Sequence, residues 1–209
     1  MTLLYVHGMG GGSDSRIPKI LSDALDGKVR VVVRTYSFDP EEGAAQLAAW
    51  AEELRPDLVV GESLGSLQAM RLRGVPHLYV SPSTGAAPWL GFLSWLSLVP
   101  GARMLFNRIW KPRPGDRQPL DFRFGILRKY PAHGREAFRQ SPRLCPDADP
   151  AFAFFGKRDH YRRSGVVSIR LWEKYFGPGT YRIYDGTHFM EEEFIHSLLI
   201  PKIHDILHL

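Results

Sequence analysis

The sequence has one cysteine, Cys145, in 209 residues. One thiol cannot close an internal disulfide, and it cannot build a thiolate metal site. This fits a reducing compartment. Long apolar runs are also missing. The greasiest stretch, Trp89 to Val99, lies between Pro88 and Pro100. It is shorter than the roughly 18 residues a spanning helix needs. The opening "MTLLYVHGMG" has no basic start ahead of an apolar run, so no leader is expected. A soluble, cytoplasmic protein is the resulting expectation. There is no zinc-finger, RNP-type or helix-turn-helix signature, so nucleic acid is not expected as a ligand.

Hydrophobic residues make up 44% and charged residues 23%, an ordinary globular balance for one domain spanning 1–209. The net charge is +5, with a pI near 9.4. The surplus is concentrated between Arg103 and Arg143. Arg103, Arg108, Lys111, Arg113, Arg117 and Arg123 lead a series opposed only by Asp116, Asp121 and Glu136. The plain reading is a solvated face. The sharper one is a surface that attracts an anionic substrate, partner or membrane.

Apolar segments alternate between strand and helix character. Strands are expected at Leu3–Val6, Val29–Val33, Leu58–Val60 and His77–Val80, and again at Ala151–Phe155 and Tyr181–Tyr184. Helices are expected from Asp14 to Leu25, Glu41 to Leu54, Leu64 to Arg73, Val166 to Tyr175 and Glu191 to Leu207. Asp14 is read as the cap of the first. This order implies a mostly parallel sheet of about six strands with helices on both faces. Residues 84–150 interrupt the alternation, and their Trp89, Phe92, Trp95, Phe106 and Trp110 are too apolar for a disordered tether. In Trp89–Val99 the small residues Gly91, Ser94 and Ser97 recur every third position. If helical, that segment is a core helix, or a lid whose Trp89 and Trp95 line an acyl site.

"LVVGESLGSLQAM" places G-x-S-x-G between a strand and a helix. Such a turn exposes the serine oxygen above the sheet, and its glycines let strand and helix backbones approach. Ser63 is therefore a nucleophile or only a helix cap. A nucleophile needs a base and an orienting carboxylate. His188 follows the strand ending at Tyr184 and precedes the last helix. Asp159 follows the strand "FAFFG". Asp185 is a rival, but it is only three residues from His188. The loop "HGMGGG" after the first strand supplies backbone donors. Met9 N–H and Leu64 N–H are the candidate pair for an oxyanion. The same loop lacks the G-K-[ST] of a P-loop and the spacing G-x-G-x-x-G, so no nucleotide is expected.

"YVHGMGG", "VVGESLGS", "FFGKRD" and "YDGTHFM", in this order, resemble the α/β-hydrolase fold. The short chain is similar to the small YqiA-like serine esterases. The resemblance covers the first ~85 and last ~60 residues, judged by those motifs. It implies a three-layer sandwich with a helical lid insertion at 85–120 after the fourth strand. It implies Ser63, Asp159 and His188 as a triad, with Met9 and Leu64 as oxyanion donors. It implies hydrolysis of a small-molecule carboxylic ester or thioester without a cofactor or metal. An acyltransferase with the same triad, or a non-catalytic interaction module on the same scaffold, are the alternatives. Glu62 departs from the pattern. It is expected to repel anionic substrates or to pair with a basic residue of the insertion.

Overall fold

A computed structural model describes residues 1–111 and 114–209. Arg113, one of the basic residues of the middle segment, lies outside the described residues. The six strands form a single sheet in the order β2-β1-β3-β4-β5-β6. They are β1 (Thr2–Val6), β2 (Arg30–Val33), β3 (Leu58–Glu62), β4 (His77–Val80), β5 (Ala151–Gly156) and β6 (Tyr181–Tyr184). All five pairings are parallel. Parallel neighbours need crossovers, and helices supply them.

The pleat sends alternate residues to opposite faces. Leu3, Tyr5, Leu58, Val60, Leu78, Val80 and Phe154 pack on one face. There they meet α1 (Arg16–Ala24) and the C-terminal helix. That helix consists of α9 (Glu192–Phe194), a π-helical stretch at Ile195–Leu199, and α10 (Ile200–Leu207). Leu4, Val6, Val59, Tyr79, Ala153 and Phe155 pack on the other face. That layer holds α2 (Pro40–Leu54), α3 (Gly65–Ala69), α4 (Ala86–Leu96), α7 (Tyr130–Arg139) and α8 (Ile169–Phe176). The short helices α5 (Ala102–Ile109) and α6 (Phe124–Leu127) join α4 to α7. The result is the expected three-layer arrangement.

Several boundaries differ from the sequence reading for identifiable reasons. Asp14 does not cap α1; its carboxylate pairs with Arg117 Nε at 2.7 Å, and Ser15 takes the cap position. α2 begins one residue early because Pro40 suits a first helical position and Asp39 accepts from the Glu41 N–H. α3 ends at Ala69 rather than Arg73.

The middle segment adds no strand to the sheet among the described residues. Among the described residues it forms an isolated antiparallel bridge, outside the sheet, between Gly12 of the glycine-rich loop and Arg117. α4 packs in an unusual sense. Its small residues Ala87, Gly91 and Ser94 face inward, and Trp89, Phe92 and Trp95 face outward. A Cβ on Gly91 would stand 2.5 Å from Pro131 Cγ, and one on Gly134 would stand 2.5 Å from Ala87 Cβ. The small stripe therefore lets α4 and α7 approach closely. Ser94 and Ser97 donate to carbonyls one turn back, which satisfies their buried hydroxyls.

Candidate active site

Ser63 sits between β3 and α3 with φ at +50°. This is a left-handed conformation that a non-glycine residue adopts at a cost. The surroundings hold it there. Ser63 N–H donates to the Val80 carbonyl, and Ser83 N–H donates to the Ser63 carbonyl. The two glycines of the motif are enforced by space. A Cβ on Gly65 would lie 2.2 Å from the His7 carbonyl oxygen, and one on Gly61 would lie 2.9 Å from Ala69 Cβ. The turn thus brings α3 against the end of β1 and leaves the Ser63 side chain half-exposed.

His188 Nε2 stands 2.8 Å from Ser63 Oγ. His188 Nδ1 stands 2.7 Å from Asp159 Oδ2. His188 and Asp159 are buried. The other carboxylate oxygen of Asp159 accepts from the Tyr161 N–H at 2.8 Å. The Tyr161 ring packs edge-on against His188, with centroids 4.6 Å apart. The His188 loop is fastened from several sides. Arg158 N–H donates to the Gly186 carbonyl, Tyr184 Oη to the Thr187 carbonyl, and Thr187 N–H to Glu191. A Cβ on Gly156 would meet the Thr187 carbonyl at 2.2 Å, so β5 needs glycine where that loop crosses it. Asp185 is turned elsewhere, toward Arg158 at 3.5 Å.

The glycine-rich loop serves the site less directly than its composition suggests. Only Gly8 approaches the serine: a Cβ there would be 3.0 Å from Ser63 Cβ. Gly12 instead makes room for the insertion, since its Cβ would overlap the Asp116 carbonyl at 1.7 Å. Gln118 ties the loop down. Its Oε1 accepts from the Gly10 N–H, its Nε2 donates to the Tyr36 carbonyl, and its own N–H donates to the Gly11 carbonyl. Tyr36 stacks on the His7 ring at 4.3 Å and donates to the His7 carbonyl. Met9 lies within this clamped loop, and Leu64 directly follows Ser63. Among the described residues, neither backbone N–H donates to another group.

Three residues around the candidate site carried no signal in the sequence. Ser83 Oγ lies 3.1 Å from Ser63 Oγ. Gln118 holds the loop, and Tyr161 walls the imidazole. Their signals exist only in three dimensions, since each is an isolated polar or aromatic residue in the chain. Glu62 has a different partner from the ones expected. Tyr5 lies opposite Val60 in the β1–β3 register, so Glu62, two residues on, shares its face. The Tyr5 hydroxyl donates to Glu62 Oε2 at 2.8 Å. Burial, and then the Glu62 charge, push the Tyr5 phenol well above its ordinary range. No basic residue of the insertion pairs with Glu62 among the described residues.

Trp89 is fixed by a hydrogen bond from its indole N–H to the Ser164 carbonyl, close to the Tyr161 turn. Trp95 is further along α4, against Phe124 and under the Arg128 guanidinium.

The sequence matches no family model and no curated protein sequence. Solved structures do match, over nearly the whole chain. A monoacylglycerol lipase from Paleococcus ferrophilus is 18% identical with a TM-score of 0.63, covering 98% of this chain and 93% of that one. The fold is that of the α/β hydrolases. A structure from work on carboxylesterases of Nitrososphaera gargenis is 12% identical, with a TM-score of 0.59 over 99% of this chain and 90% of that one. An Arabidopsis methylesterase is 14% identical, with a TM-score of 0.55 over 98% and 99%. At these identities the likeness concerns the α/β-hydrolase fold, and the chemistry rests on the residues of this chain. No helix among the described residues is long and apolar enough to cross a membrane.

Proposed function

We propose that this protein is a serine hydrolase that cleaves a carboxylic ester or thioester through an acyl-enzyme intermediate. The observation that carries this is the hydrogen-bonded series Ser63–His188–Asp159, at 2.8 and 2.7 Å, ending on a half-exposed serine. A non-catalytic module has no need of a strained serine aligned with a buried His–Asp pair.

In the proposed reaction, Ser63 Oγ attacks the substrate carbonyl carbon while its proton passes to His188 Nε2. Asp159 faces the Nδ1 proton and stabilises the imidazolium that forms. The Tyr161 N–H holds that carboxylate in place. The tetrahedral oxyanion accepts from the N–H groups of Leu64 and Met9. Their lack of other acceptors suits the role, because donors aimed in advance need no reorganisation. Collapse expels the alcohol or thiol, which takes the proton from His188. Water then attacks the acyl carbon, giving its proton to His188; as the bond to Ser63 Oγ breaks, His188 returns that proton to Ser63 Oγ and the acid leaves. Only residues of this chain and water take part.

Residues 85–120 are the proposed cap over this site. Trp89, held beside the Tyr161 turn, and Trp95 are the proposed contacts for the substrate's acyl part. Steady-state hydrolysis of p-nitrophenyl esters of graded chain length tests the reading. Ser63→Ala should lower kcat by roughly 10⁴-fold or more. Unchanged turnover in that variant would sink the proposal.

A further inference from the structure

Large apolar side chains are unevenly exposed. Among the described residues, nine of the fourteen exposed ones lie between Trp89 and Ile109, which marks this stretch as a surface built to be covered. Its most exposed members include Phe92, Trp95, Leu98, Met104, Leu105 and Ile109. They lie on α4, on α5 and on the turn between them. α4 could have buried its aromatics and exposed its serines, and it does the opposite. α5 buries a single side chain, Phe106.

The charge of the same stretch is one-signed. No acidic residue occurs between Glu62 and Asp116. Arg103, Arg108 and Lys111 are exposed within it, and Arg128 lies 5.3 Å over the Trp95 ring. Among the described residues no carboxylate pairs with any of these four cations. A second copy of this chain would set the same cations against each other, which disfavours self-association through this face. Exposed tryptophan, phenylalanine and leucine beside unpaired arginine and lysine match the composition that settles at a headgroup boundary.

We propose that the outer face of α4 and α5 docks on the surface of an anionic lipid bilayer. The apolar side chains enter the boundary between headgroups and acyl chains, and the cations meet lipid phosphates. The docking concerns the outer face of α4 and α5 and stands whether or not the Ser63 site is catalytic.

Flotation of the intact protein with phosphatidylcholine vesicles, with and without phosphatidylglycerol, tests the proposal. The protein should float with the anionic vesicles and much less with the neutral ones. Its binding should weaken at high salt. Arg103→Glu with Arg108→Glu should lower the partition by at least about tenfold. Phe92→Ser with Leu98→Ser should lower it by about tenfold as well. All four positions are exposed, so thermal melts of the variants should match wild type, which separates lost docking from lost folding. Three results would each overturn the proposal: no flotation with anionic vesicles, equal flotation of the variants, or a wild-type dimer that the Phe92 and Leu98 changes dissociate. Vesicle binding without esterase turnover would uphold the docking and reject the hydrolase reading.

Discussion

Ser83 Oγ stands 3.1 Å from Ser63 Oγ, which also faces His188 Nε2 at 2.8 Å. Ser63 has one proton. When it points at His188 Nε2, Ser83 becomes the donor to Ser63. That bond biases the Ser63 proton toward His188 Nε2.

A neutral hydrogen bond contributes about 0.5–1.5 kcal/mol. Ser83→Ala should therefore lower kcat by about 2–13-fold. Steady-state kinetics of the single variant measures this. A loss as deep as that of Ser63→Ala would mean Ser83 does more than orient the proton.

The Tyr5–Glu62 pair is structural support under the turn that carries Ser63. A hydrogen bond to a charged group contributes about 1.5–3 kcal/mol. Tyr5→Phe should cost about that much in urea unfolding, because Glu62 loses its donor. Glu62→Gln keeps a neutral acceptor and should cost less. Equal stability of wild type and Tyr5→Phe would show that the pair contributes nothing.

Three buried histidines should make stability depend on acid. Burial lowers His7, His77 and His133 to about 4 each, and the nearby Arg117 and Arg71 push His7 and His133 the same way. His133 Nδ1 can only accept from Arg71, at 2.9 Å, so it sits there neutral. Unfolded histidine titrates near 6.5. Between about 6.5 and 4 the unfolded chain binds more protons than the folded one, so stability rises with pH across that window. The contribution is fully present above about 6.5 and is lost on acidification toward 4. Each group adds a slope of up to about 1.4 kcal/mol per pH unit. Urea midpoints should fall steadily from pH 7 to 4.5, and His77→Gln should flatten the curve. A flat wild-type profile would contradict buried neutral histidines.

The strands were legible because β-branched and aromatic runs bounded by glycine and proline have few other readings. The residues of the candidate site could be named because their motifs stand in one order along the chain and follow strand ends. Tertiary contacts hid the rest. Asp14 looked like a cap until Arg117, far along the chain, took its carboxylate. Glu62 had no visible partner until the β1–β3 register brought Tyr5 alongside. The sense of α4 was ambiguous because a small-residue stripe on a greasy helix fits either face inward. The proximity of Pro131 and Gly134 decides it.

The most direct test is where a fluorophosphonate attaches. Ser63 and Ser83 lie close enough that labelling alone cannot distinguish them, so the adduct should be mapped by peptide mass spectrometry. The prediction is one adduct, on Ser63, absent in Ser63→Ala and strongly slowed in His188→Gln. No adduct on the wild type, an adduct on Ser83, or full labelling of Ser63→Ala would contradict Ser63 as the nucleophile.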